Sequence, residues 1–112
     1  MIINIAFLPH FLKEAKRFSK KYKTFKVALA DLSASLLENP RQGTDLGSGL
    51  YKIRLANKSK QKGKSGGFRV ITLLVEEDLE NMNIWLVDIY DKSEKEDIPK
   101  KVLQEYVKDI LL

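Results

Sequence analysis

Three observations on this 112-residue chain predict an α+β fold. Apolar residues recur at helical spacing in two neighbouring stretches near the start and in a third at the end. Between them lie short runs of alternating or continuous apolar residues separated by glycine-rich or acidic turns, the pattern of an antiparallel meander. A chain of 12.9 kDa with 44% hydrophobic residues can also bury a real core as one domain. The predicted order is βααβββα: an antiparallel sheet with an N-terminal helical hairpin and a C-terminal helix. Residues 1–112 read as a single domain without linker or internal repeat.

Ile2 to Leu8 is short and apolar and is bounded by Pro9, which suits an opening strand. Phe11, Ala15, Phe18 and Tyr22 mark one face of a helix over Pro9 to Lys23. Thr24 is placed to cap a second helix, whose buried stripe is Phe25, Ala28, Leu29, Leu32 and Leu36 and which Asn39 and Pro40 end. Gln42 to Gly49, with three glycines, reads as a loop. Leu50 to Ala56 alternates, with Tyr51, Ile53 and Leu55 on one side and Leu50, Lys52 and Arg54 on the other. Asn57 to Gly67 has no large apolar residue and is expected to be a mobile loop. Phe68 to Val75 and Met82 to Tyr90 are strands about the acidic turn Glu76 to Glu80, and Pro99 opens a last helix with Val102, Leu103, Tyr106, Val107, Ile110 and Leu111 as its core stripe.

Composition removes several function classes. With no cysteine there is no disulfide, thiolate nucleophile or cysteine metal site, and one histidine, His10, excludes a two-histidine acid–base pair or a histidine zinc site. His10, at a helix start, reads as structural or exposed. The apolar start lacks the features of a signal peptide and no run is long enough to span a membrane, so the sequence reads as a cytoplasmic protein. Gly63-Lys64-Ser65 is no P-loop, because Lys58 stands where the motif needs its first glycine. The carboxylates of Glu76 to Glu80 and Asp91 to Asp97 read as solvated turns.

The formal charge of +5 is unevenly distributed. Leu50 to Val75 carries +7 with no acid, Lys13 to Lys26 carries +6, and the remainder −8. The first of these predicts a basic face for a polyanion; the second reads as the solvated side of an amphipathic helix. The run Lys62-Gly63-Lys64-Ser65-Gly66-Gly67-Phe68-Arg69 joins point charges on a glycine loop to an arginine fork able to grip a phosphate through two hydrogen bonds. Lys52 and Arg54 share a face of the neighbouring strand, and Tyr90 and Lys92 end the next.

These residues resemble the RelE/ParE superfamily of bacterial toxins, and within it the RelE-like and HigB-like messenger-RNA interferases. The resemblance rests on Gly49-Leu50-Tyr51-Lys52-Ile53-Arg54, on Gly63 to Val70 with Arg69, and on Tyr90-x-Lys92-x-Glu94 before a terminal helix. It implies a microbial-ribonuclease-like fold and a metal-independent endoribonuclease without cofactor, the toxin of a type II toxin–antitoxin system. Such a toxin cuts mRNA, generally on the ribosome, and is blocked by a cognate antitoxin. On this chain it implies Arg69, Lys62, Lys64, Tyr90 and Lys92 as catalytic residues and Lys52, Arg54, Lys58 and Lys60 as RNA-binding ones. Some relatives carry a second arginine past the last strand, where this chain has Ser93 with Lys92 and Lys95 nearby.

The chemistry asked of such a site is modest. RNA cleaves when its own 2′-OH attacks the adjacent phosphate, so crowded cations that stabilise the phosphorane, with a proton donor and acceptor, suffice. Lys62 or Lys64 is a candidate acid or base, and Tyr90 reads equally as a base-stacking or sugar-orienting residue and as a tyrosine packed on the sheet. Two other functions share the pattern: a ParE-like gyrase inhibitor, which needs no solvent-facing phosphate-gripping arginine, and a non-catalytic RNA-binding module. An antitoxin is expected across the basic face or the helical hairpin.

Overall fold

The computed structural model describes residues 1–58 and 67–111. Its elements are β1 (Ile2–Phe7), α1 (Pro9–Lys21), α2 (Phe25–Glu38), β2 (Thr44–Gly47), β3 (Leu50–Leu55), β4 (Phe68–Glu76), β5 (Asn81–Asp91) and α3 (Lys100–Leu111). The α+β class holds, with one strand more than expected and a sheet that is mixed. The strand order is β1-β5-β4-β3-β2, and β1 runs parallel to β5 while every other pair is antiparallel. A parallel neighbour requires a long crossover, and the helical hairpin between β1 and the meander supplies it. The strand β2 was expected to be loop. It has four residues with no apolar alternation and exists through its pairing with β3, Asp45 opposite Tyr51 and Thr44 opposite Lys52.

Two cores lie on opposite faces of the sheet. The hairpin face holds Phe11, Phe18, Phe25, Leu32 and Leu36 against Ile53, Phe68, Val70, Ile84, Leu86 and Ile89. Phe68 is its hub, with ring centroids 4.9 Å from Phe18, 5.2 Å from Phe25 and 5.7 Å from Tyr22. Aromatic pairs at such distances add to the area they bury. The other face holds Leu50, Ile71, Leu73, Val87 and Tyr90 under Ile98, Leu103 and Val107, which come from α3 and the segment entering it. Of the expected α3 stripe, Val102 is exposed instead.

Three local devices position the site. Gly67 enters β4 with φ +93°, and a Cβ there would sit 2.9 Å from the Leu55 carbonyl oxygen, so only glycine lets β4 leave alongside β3. Its carbonyl accepts the Lys92 N–H at 3.0 Å, tying the start of β4 to the end of β5. The register of β4 on β5 shifts between Ile71 and Thr72, which face Asp88 and Leu86 and leave Val87 as an extra residue. This bulge puts Leu86 in the hairpin core while Val87 and Tyr90 face α3, an outcome that strict alternation forbids. Thr24 stands at the α2 N-cap position, yet its side chain makes no capping bond there, contrary to expectation.

Candidate nucleic-acid interface

Sheet register sets the central feature. Arg54 on β3 is directly opposite Arg69 on β4, which is directly opposite Tyr90 on β5. Directly opposed residues project from the same face, so the three side chains form a row on the α3 side of the sheet, at its end nearest Gly67. One step along, Lys52 lies opposite Ile71 and Ile71 opposite Asp88.

Arg69 departs from the sequence expectation in one respect. The arginine was expected to face solvent, but the central strand leaves it only 6% exposed. One guanidinium nitrogen donates to the Phe68 carbonyl at 3.3 Å. Among the described residues no carboxylate pairs with Arg69 or with Arg54. Two cations opposed across a ladder repel one another, and a buried one is costly without an anion. The row is therefore electrostatically incomplete, and a phosphate would complete it.

Tyr90 and Lys52 do have a partner. The Tyr90 hydroxyl donates to Asp97 Oδ1 at 3.3 Å, and Lys52 Nζ lies 3.5 Å from the same oxygen. Burial first, and then the Asp97 charge, push the Tyr90 hydroxyl up to about 12, so it remains a donor at neutral pH. Asp97 itself lies below its ordinary value, chiefly because its carboxylate accepts the Ile98 N–H, with Lys52 adding to the effect.

The other expected site residues are less gathered. Lys58 is exposed and lines a cavity of about 450 Å³ between α2 and β3, with Val27, Leu32, Ile53 and Arg54. Arg54 is common to that cavity and to the row, whereas the other lining residues named lie on α2, β3 and the segment after it. Lys92 follows Tyr90 by two residues in the turn after β5. Lys60, Lys62 and Lys64 lie outside the described residues. The two basic segments do not form one face: α1 packs on the hairpin core, whereas Arg54 and Arg69 lie across the sheet. Arg17 of α1 is held by Glu14 and, through both terminal nitrogens at 3.1 and 2.9 Å, by Glu94.

Sequence reasoning passed over several residues. Asp91 was expected in a solvated turn, but it is buried and accepts from the Tyr22 hydroxyl at 3.1 Å and from Ser93. His10, expected to be structural or exposed, has Nε2 3.0 Å from Asp88 Oδ1 and stacks on Tyr106 with centroids 4.8 Å apart. Asp97, read as a solvated acid, is the shared partner of two site residues. Its only sequence signal is its place just before Ile98-Pro99 at a helix entrance; its partner Lys52 is distant in the chain.

No helix among the described residues is long and apolar enough to cross a membrane. None of the curated proteins matches the chain significantly. A solved structure does: toxin RelE of Escherichia coli, as a double arginine-to-alanine mutant in the free state, superposes with a TM-score of 0.63 at 21% identity, covering 98% of this chain and 99% of that one. That likeness shows the fold. The family model described as the RelE toxin of the RelE/RelB toxin–antitoxin system matches residues 11–110, which is most of the chain. On the strength of that match the protein belongs to the RelE toxin family.

Proposed function

We propose that this toxin is an endoribonuclease that cleaves mRNA, on the ribosome, by attack of a ribose 2′-OH on its own 3′-phosphate. The reading is carried by one observation: Arg54 and Arg69 stand opposite each other beside a protonated Tyr90, with no carboxylate partner among the described residues. An anion with several oxygens fits that arrangement, and a phosphodiester passing through a phosphorane fits it better as its charge grows.

In this scheme the two guanidinium groups hold the nonbridging oxygens and Tyr90 donates to a third position. The 2′-oxygen attacks phosphorus and loses its proton, the P–O5′ bond breaks, and the departing 5′-oxygen takes up a proton. The products are a 2′,3′-cyclic phosphate and a 5′-hydroxyl. Lys52, Lys62, Lys64 and Lys92 are the candidate proton carriers and charge-stabilising groups, and Lys58 and Lys60 contact RNA outside the reacting phosphate. The chain has one histidine, His10, and it is engaged with Asp88. A site built from high-pKa groups is slow on free RNA, so the ribosome supplies the orientation of the message. The chemistry runs without a metal, and a cognate antitoxin restrains it in the cytoplasm.

The test is cleavage of a defined message in stalled ribosome complexes by purified protein in the presence of EDTA. We expect a 2′,3′-cyclic phosphate at the new end, loss of cleavage when the attacking ribose is 2′-deoxy, and loss with Arg69→Ala. Full activity on the 2′-deoxy substrate would contradict the mechanism, and growth arrest with DNA breaks and intact message would favour gyrase inhibition instead.

A further inference from the structure

The Asp97 carboxylate sits where two site residues point. Lys52 comes from β3 and Tyr90 from β5, two strands apart in the sheet, yet Nζ and the hydroxyl converge on the same oxygen, Oδ1, at 3.5 and 3.3 Å. Two donors from separate strands aimed at one anionic oxygen constitute an oxyanion subsite, and in this structure a side chain of the same protein fills it. The subsite adjoins Arg69, the cross-strand neighbour of Tyr90.

We infer that Asp97 is an internal occupant of the phosphate site: its carboxylate stands in for a phosphodiester oxygen, and RNA binds by displacing it from Lys52 and Tyr90. The inference rests on the RNA reading above for the identity of the ligand, but not for the existence of the anion subsite. Displacement is mechanically simple. The Asp97 side chain is 63% exposed, so rotation about its own bonds carries it into solvent. Its backbone is held independently, because Ile98 is buried with Leu103 and Val107 in the α3-side core. The same Oδ1 accepts the Ile98 N–H at 2.9 Å, a local bond that displacement gives up to solvent and that an asparagine oxygen can keep in the empty site. Asp97 thus screens the positive row while the site is empty and competes with every incoming phosphate.

The experiment compares wild type, Asp97→Asn and Asp97→Glu. Inorganic phosphate is titrated while the Tyr90 ring and Lys52 side-chain signals are followed by NMR, and binding of a 2′-deoxy-blocked single-stranded RNA is measured by fluorescence anisotropy at low and high salt. Removing one charge at about 4 Å from the site is expected to tighten phosphate and RNA binding about fivefold. Asp97→Glu, which retains the charge, should stay within about twofold of wild type, and the Asp97→Asn gain should shrink at high salt. Phosphate affinity unchanged in Asp97→Asn, or raised equally in Asp97→Glu, overturns the inference, even if RNA is cleaved. Tighter phosphate binding without any RNA binding or cleavage supports the subsite and withdraws the RNA reading instead.

Discussion

Replacing Arg69 with methionine should make the protein more stable and inactive. Directly opposed residues on antiparallel strands have Cα atoms about 4.5–5.5 Å apart. Charges about 6 Å apart repel by roughly 0.7 kcal/mol in bulk water and about 3 kcal/mol at an effective dielectric of 20. Arg54 is exposed, so the lower part of that range applies, about 1 kcal/mol. Arg69 is only 6% exposed and its one described hydrogen bond runs to a backbone carbonyl, so its desolvation is incompletely offset. Methionine keeps most of the alkyl stem and its packing. The net gain should be about 1–2 kcal/mol, or roughly 4–8 °C in Tm for a domain of this size. Thermal and urea unfolding of purified Arg69→Met measure this, with Arg69→Lys as the variant that keeps the charge and loses the fork. A fall in Tm of more than about 2 °C for Arg69→Met would refute the reasoning, because it would make the guanidinium a structural group.

Phe68→Ala should cost about 4 kcal/mol, since a ring 1% exposed and packed against three other aromatics loses both its transfer energy and its contacts; urea unfolding checks this, and a loss below about 1.5 kcal/mol would contradict the packing. Gly67→Ala should destabilise and also lower activity, because φ +93° and the nearby Leu55 carbonyl oppose any Cβ where β4 begins. The Glu94 carboxyl is held below its ordinary value, first by its hydrogen bond from Arg17. A depressed folded-state value contributes stability above the unfolded pKa of about 4.3 that is lost as pH falls through the folded value. Arg17→Gln should therefore flatten the loss of Tm between about pH 5 and pH 3, and an unchanged acid limb would count against the pair. Tyr90→Phe should lower the cleavage rate about a hundredfold, the scale of one donor lost from a developing oxyanion, whereas wild type should show no Tyr90 ionisation limb below about pH 11.

Most of the elements were legible because their burial has a period. The α1 positions Phe11, Ala15 and Phe18 and the alternation of Ile53 with Lys52 and Arg54 each record one buried face. What was not legible depends on partners. The strand β2 is defined by its ladder to β3, the parallel β1–β5 pair by a crossover, and the β5 bulge by an offset that no period carries. At the site, Lys52, Arg54, Arg69 and Tyr90 could be named from residue type, and their assembly into adjacent cross-strand rows follows from register alone. The burial of Arg69 was hidden because an arginine on a strand gives no sign of how deep the sheet places it. The charge run of Lys13 to Lys26 was legible as the solvated side of an amphipathic helix, because Lys13, Lys16, Arg17 and Lys20 are exposed while Phe11, Ala15 and Phe18 are buried. Acids were the harder class: Asp91 and Asp97 share a polar turn, and contacts with Tyr22, Lys52 and Tyr90 separate a buried acid from an exposed one that meets two strands.

The most direct measurement is a map of transcript 5′ ends at nucleotide resolution after brief induction of wild-type toxin or of the folded Arg69→Met variant. The account predicts new ends bearing 5′-hydroxyls inside translated reading frames with the wild type and none above background with the variant. Equal end profiles from the two proteins, with growth arrest retained by both, would contradict the claim that the opposed arginines hold the scissile phosphate.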